Sequence, residues 1–163
     1  MRITGGSESG KSPTAENVIC AILAQTVGAC DFYDPMFESV KNHRSIPATG
    51  RSHADSVQGL KAYQAKMESI PSNSLYLAWF DEIDTTLDEN PKSSSDLKAV
   101  LKQSSHKNSG LVITGQNANV RNLKGGFAWR VINLPTFQPS QVVPKKHQVK
   151  IRLNRTYLSA SRG

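Results

Sequence analysis

The sequence predicts an α/β domain built on a mostly parallel sheet, and three observations carry that prediction. Short apolar strands alternate with helical patterns along most of the chain. One of those strands, Leu75–Phe80, is apolar at every position, as expected of a strand covered by helices on both faces. A glycine-rich turn at 5–10 follows a strand stub and runs straight into a well-patterned helix.

The elements follow in order. Residues 1–4 read as the strand stub, which feeds the turn Gly5-Gly6-Ser7-Glu8-Ser9-Gly10. Ala15, Val18, Ile19, Ile22, Leu23 and Val27 then recur at three and four residues, predicting a helix that Gly28 is placed to stop. A second strand at 30–33 ends at Asp34-Pro35, and 36–53 reads as loop with a single helical turn. A helix is predicted over 54–69 from Val57, Leu60, Ala65 and Met67, with Pro71 ending it. After the strand Leu75–Phe80, the acidic segment 86–95 reads as an exposed loop, with Asp84 and Asp88 as solvated loop residues. Asp96 is expected to cap a helix over 96–106, supported by Leu97, Val100 and Leu101. Strands at 111–114 and 131–134 complete a set of five. Residues 148–153 alternate as an edge strand would, and 154–163 read as a frayed end. The chain divides into a core at 1–135 and a basic C-terminal extension at 136–163.

With 163 residues, 37% of them hydrophobic and 20% charged, the chain can build one globular core. A disordered tail or a collagen-like fibre is excluded. The longest apolar run is the seven residues 18–24, against the roughly 20 that a spanning helix needs, so no membrane span is expected. Cys20 and Cys30 stand without metal-type spacing, which predicts free thiols in a reducing, cytoplasmic setting. A lipoprotein-type leader ending at Cys30 is disfavoured, because Glu16, Asn17 and Gln25 interrupt its apolar stretch.

The formal net charge of +7 conceals a strong asymmetry. Residues 1–96 hold eight Lys/Arg against thirteen Asp/Glu, whereas residues 97–163 hold twelve Lys/Arg and no acid. Such a block fits a polyanionic partner, most often nucleic acid, and equally a solvated basic surface. Lys145, Lys146, Lys150, Arg152 and Arg155 are the candidate contacts.

Gly5-x-x-x-x-Gly10-Lys11-Ser12 matches G-x-x-x-x-G-K-[ST] in full. Glycines let the backbone curl so that successive N–H groups face a polyphosphate, the lysine reaches the terminal phosphates, and the hydroxyl holds Mg²⁺. Gly5, Gly6, Ser7, Glu8, Ser9, Gly10, Lys11, Ser12 and Pro13 are therefore the candidate nucleotide-binding residues. Glu8 brings an unhelpful negative charge, and Pro13 lacks the N–H that such loops commonly offer to the α-phosphate. Asp81-Glu82 closes the apolar strand in the Walker B manner: Asp81 joins Ser12 as a candidate metal ligand, and Glu82 can polarise water. After the next strand comes Gly115-Gln116-Asn117, where Gln116 can sense a γ-phosphate or hold the lytic water.

In this order of features the chain resembles the additional-strand class of P-loop NTPases, and within it the FtsK/HerA superfamily of DNA-pumping ATPases. The segment 97–116, ending in Gln116, is similar to that family's helix and strand before its sensor glutamine, and the resemblance covers about residues 1–135. It implies a three-layer α/β/α fold with a five-stranded sheet of order 5-1-4-3-2. The implied activity is Mg²⁺-dependent ATP hydrolysis coupled to DNA translocation or processing, in a homo-hexameric ring. Lys11, Glu82 and Gln116 would then be the catalytic residues, and an arginine finger would come from among Arg44, Arg51, Arg121 and Arg130. A GTPase is disfavoured by the lack of an N-K-x-D motif. A small-molecule kinase with an acceptor site near Asp34 and Arg44, and a nucleotide- or nucleic-acid-binding module without turnover, remain the alternatives.

Overall fold

A central apolar strand needs a cover on each face, and the architecture follows from how that cover is supplied. The computed structural model describes residues 1–6, 8–37, 45–103, 108–116 and 131–133. The elements are β1 (Arg2–Thr4), α1 (Lys11–Leu23), β2 (Gly28–Tyr33), α2 (His53–Ser69), β3 (Leu75–Phe80), α3 (Ile83–Glu89), a 3₁₀ turn (Pro91–Ser93), α4 (Ser94–Gln103), β4 (Ser109–Gly115) and β5 (Val131–Asn133). Among the described residues all the strand pairings are parallel, in the order β2-β3-β4-β1-β5, which from the other edge reads 5-1-4-3-2.

Side chains alternate across β3, so its two faces feed two cores. Tyr76, Ala78 and Phe80 pack with Leu60, Tyr63 and Met67 of α2, Ile83 of α3, and Leu97 and Val100 of α4. Leu77 and Trp79 pack on the opposite face with Ile3 and with Ala15 and Ile19 of α1. Helices therefore lie on both sides of the sheet. Cross-strand aromatic pairs lock β2 to β3: Phe32 stacks on Trp79 at 3.9 Å and Tyr33 on Phe80 at 4.8 Å, each pair directly opposed in the register. Beyond β2, the N–H groups of Thr49 and Gly50 both donate to Phe32 O, at 2.7 and 3.2 Å, covering part of that open edge.

Several expectations need correction. The first helix stops at Leu23, where Ala24 and Gln25 donate back to Cys20 O and Ile22 O. Val27 is 73% exposed, and Gly28 opens β2 rather than capping a helix. The reason is close approach: a Cβ at Gly28 would lie 2.5 Å from Leu75 O. Residues 86–95 are not an exposed loop, since they hold most of α3, the 3₁₀ turn and the start of α4, with Thr86 and Ser93 buried. Ile83 and Leu87 supply a short i, i+4 apolar face within the acidic run, and both reach the core. Asp84 is not a solvated loop residue either, because Arg2 Nη2 donates to it at 3.3 Å. Asp96 sits inside the first turn of α4, where a negative charge favours the helix dipole, and does not cap it. The second, third and fourth strands otherwise lie where the sequence places them. No helix among the described residues is long and apolar enough to cross a membrane. The strand at 148–153 and the extension at 136–163 lie outside the described residues.

Gly59, buried in the middle of α2, offers a stability test. Helix propensity favours alanine there by about 1 kcal/mol. A Cβ at that position, however, would lie 2.4 Å from Cζ of the Tyr33 ring, which is itself stacked on Phe80. Overpacking of this kind costs about 1–3 kcal/mol, so Gly59→Ala should lower the urea midpoint despite its better propensity. A raised midpoint would show that the ring yields freely.

Candidate functional site

Parallel strands present their C-terminal ends on one edge of the sheet, and here that edge collects the loop after β1, Asp81-Glu82 after β3 and Gln116 after β4. The loop turns into α1 through Gly10, whose φ of 80° is left-handed and favours a residue without Cβ. Gly10 O accepts from Thr14 N at 3.0 Å and from Thr14 Oγ1 at 2.8 Å. The helix has no side-chain cap and no acidic residue in its first turn, so its N-terminal N–H groups and positive dipole end are left for an anion. Ser9 N donates to Gly6 O at 3.3 Å, and Glu8 is exposed at φ 61°. Ser7 lies outside the described residues. Pro13, exposed at the third helical position, is sterically tolerable there but contributes no donor.

Lys11 is 6% exposed, and its Nζ donates to Gly6 O at 2.9 Å while standing 4.0 Å from Glu82 Oε1. Its neighbour Ser12 donates through Oγ to Asp81 Oδ2 at 2.6 Å. Asp81, 4% exposed, takes two more donors on Oδ1: the Thr114 hydroxyl and, at 3.1 Å, Glu82 N. The aspartate is thereby tied to α1, to β4 and to the turn that follows β3.

Glu82 has φ 47°, a left-handed conformation that costs a side-chain-bearing residue free energy. The turn brings its side chain between Lys11 and Gln116, whose Nε2 donates to Oε2 at 3.4 Å. Burial pushes the Glu82 carboxyl above the usual carboxylate range; the Lys11 charge opposes this, the Asp81 charge adds to it, the Gln116 bond opposes it, and the Asp84 charge adds to it. Gln116 itself is exposed.

The structure thus brings together Lys11, Ser12, Asp81, Glu82 and Gln116. Ser12 and Asp81 offer adjacent hard oxygens of the kind that suit Mg²⁺, an ion that keeps several water or ligand oxygens of its own. Among the described residues no three His, Cys, Asp or Glu side chains gather to hold a metal by themselves. Arg51 stands over the Phe37 ring at 4.5 Å, whereas Arg44, Arg121, Arg130, Lys145, Lys146, Lys150, Arg152 and Arg155 lie outside the described residues. Cys20 and Cys30 are free thiols, and burial followed by the Asp31 charge pushes Cys30 up to about 12. A cavity of about 300 Å³ lined by Met67, Ile70 and Asn108 lies where the chain enters β3 and β4, at the other end of the sheet.

Thr114 was not picked out by sequence reasoning. Its signal is a hydroxyl at the end of an otherwise apolar strand, one glycine before Gln116. Arg2 and Asp84 were missed for a different reason, since their contact joins positions 82 residues apart.

The raised carboxyl of Glu82 has a definite sign in stability. A group that holds its proton more tightly when folded stabilises below its unfolded value, and that contribution disappears as pH rises through the folded one. Ionised Glu82 is consequently a burden at neutral pH. Glu82→Gln should unfold at a higher temperature than the parent at pH 7, and the advantage should vanish below about pH 4, the unfolded value of a glutamate. Thermal unfolding across a pH series reads both arms; a constant difference at every pH would contradict the assignment. No family model and no curated protein matches the sequence.

Proposed function

We propose that the chain binds Mg-ATP at the 5–13 loop and hydrolyses it, in the service of DNA translocation or processing. The observation that carries this reading is the Asp81 carboxylate, bonded by the Ser12 hydroxyl, with Glu82 beside it between Lys11 and Gln116. A strand order with β1 between β4 and β5 supports the additional-strand P-loop resemblance.

Each residue then has a physical task. Loop N–H groups and the α1 terminus receive the phosphates, and Lys11 exchanges Gly6 O for the β- and γ-phosphate oxygens. Ser12 and Asp81 would hold the ion, and Mg²⁺ when bound would supply neutralisation of the phosphate charge in the transition state. Glu82, with a carboxyl more basic than usual, accepts the proton of the attacking water. Gln116 orients Glu82 and that water. The DNA part of the proposal rests on the family resemblance and on the acid-free stretch 97–163; a homo-hexameric ring is the assembly the resemblance implies. Pro13 favours a second reading, a nucleotide-binding module without turnover, since one donor to the α-phosphate is missing.

Mg-ATP binding and hydrolysis, measured with and without DNA, separate the two readings. Lys11→Ala should abolish binding, and Glu82→Gln should keep binding while lowering turnover by roughly 10² or more. Unchanged affinity in Lys11→Ala overturns the nucleotide site, and wild-type turnover in Glu82→Gln removes the base.

The DNA arm is read from salt. Each neutralised phosphate contributes about −0.9 to the slope of log K against log salt, so joint replacement of Lys145, Lys146 and Lys150 by Glu should flatten the slope. A triple variant that binds DNA as the parent does at every salt concentration rules these lysines out.

A further inference from the structure

Arg2 carries a charge into the middle of the sheet. It belongs to β1, which is paired on both sides, and 1% of the residue is exposed. Its Nη2 lies 3.3 Å from Asp84 Oδ1 in the first turn of α3. Desolvating two charges often costs as much as their attraction returns, so such a pair is weak evidence of stabilisation for its own sake.

The other side of the same carboxylate shows what the pair touches. A Cβ at Gly115 would lie 2.1 Å from Asp84 Oδ2 and 2.7 Å from its Cγ, and the three atoms nearest that point all belong to Asp84. Gly115 has no positive φ, so it serves here by leaving space rather than by its conformation. The Asp84 carboxylate occupies that space, against the backbone of β4.

Both contacts border the candidate site. Asp84 follows Glu82 by two residues, and Gly115 immediately precedes Gln116. Glu82 and Gln116 meet at 3.4 Å on two turns. The Glu82 backbone is held by Asp81 and Thr86, at 3.1 and 3.2 Å, while Gln116 is exposed at the end of a strand, so the gap between the two turns depends on what lies between α3 and β4. We infer that Arg2 and Asp84 are positioning residues, whose ion pair, lodged against Gly115, holds the start of α3 and the end of β4 at the separation where Glu82 and Gln116 meet. Its kinetic consequence rests on the hydrolysis proposed above, but its structural consequence does not.

The test uses Asp84→Ala, Asp84→Asn and Gly115→Ala in the full chain, with three readouts: Mg-ATP affinity, turnover, and the side-chain amide resonance of Gln116. Gly115→Ala is the sharper variant, because the three atoms nearest its new methyl group are all in the Asp84 carboxylate, which must move aside; it also carries the test should Asp84→Ala fail to fold. Both alanine variants should bind Mg-ATP within about twofold of the parent while turnover falls by about tenfold or more, as expected when catalytic groups are misplaced by an ångström or less. The Gln116 amide resonance should shift in both. Asp84→Asn, which has the same shape and still offers Arg2 an acceptor, should recover most of the lost rate. Loss of affinity and turnover together, or an unmoved Gln116 resonance in Gly115→Ala, overturns the inference. A parent that binds no nucleotide overturns the ATPase reading alone, and the Gln116 resonance then decides the positioning role.

Discussion

A carboxylate that is almost wholly buried must be met by donors, and the way Asp81 is met organises the site. Ser12 comes from the first turn of α1, Thr114 from the end of β4, and Glu82 N from the residue next in the chain. One side chain thus ties α1, which the sheet's own hydrogen bonds do not hold, to the paired ends of β3 and β4. Because Lys11 precedes Ser12, holding Ser12 on Asp81 also delivers the ammonium to the neighbourhood of Glu82. The left-handed turn at Glu82 fits the same arrangement: it aims the Glu82 N–H at Asp81 Oδ1 and sends the Glu82 side chain toward Lys11 and Gln116. Local strain there is offset by a charge-assisted hydrogen bond.

The sheet makes that edge possible with very little chain. β1 has three residues, yet its backbone pairs on one side with Ile113–Gly115 and on the other with β5, so a short strand is fixed from both directions. Ile3 is fully buried toward α1, while Arg2 and Thr4 are buried toward the other face. A short central strand is adequate because its neighbours, not its own length, supply the register. The glycine-rich loop consequently starts from a fixed point, next to the end of β4.

What was legible in the sequence was local. The run Leu75–Phe80 announces a doubly covered strand through composition alone, and the G-x-x-x-x-G-K-S spacing announces the loop, because each reports on neighbours within a few residues. The features that were misread depend on distant partners. Gly28 resembles a helix stop by its position after Val27, and only the approach of Leu75 O turns it into the first residue of a strand. The acidic run after Glu82 resembles a solvated loop until Ile83 and Leu87 find the core and Asp84 finds Arg2. Thr114 reads as an ordinary strand residue until Asp81 arrives from β3. Periodicity reports which face of an element is apolar; it carries nothing about which polar group will meet another across the sheet.

Charge balance at the edge narrows what the site can accept on the proposed reading. Lys11 stands 4.0 Å from Glu82, its neighbour Ser12 is bonded to Asp81, and Asp84, further along, is compensated by Arg2. An anion entering alone would gain the α1 terminus and one ammonium but would face Asp81 nearby and the Glu82 carboxylate that already draws that ammonium. A polyphosphate carrying a divalent cation meets a different balance, because the cation answers Asp81 and the Ser12 oxygen while Lys11 is released to the phosphate. Glu82 would then share its nearest positive neighbour with the ligand, which would weaken the influence that most opposes its raised proton affinity. The phosphate charge would then raise the proton affinity of Glu82 further while a cation beside Asp81 would lower it, so the base would be set by the balance of those two and no longer by Lys11 alone.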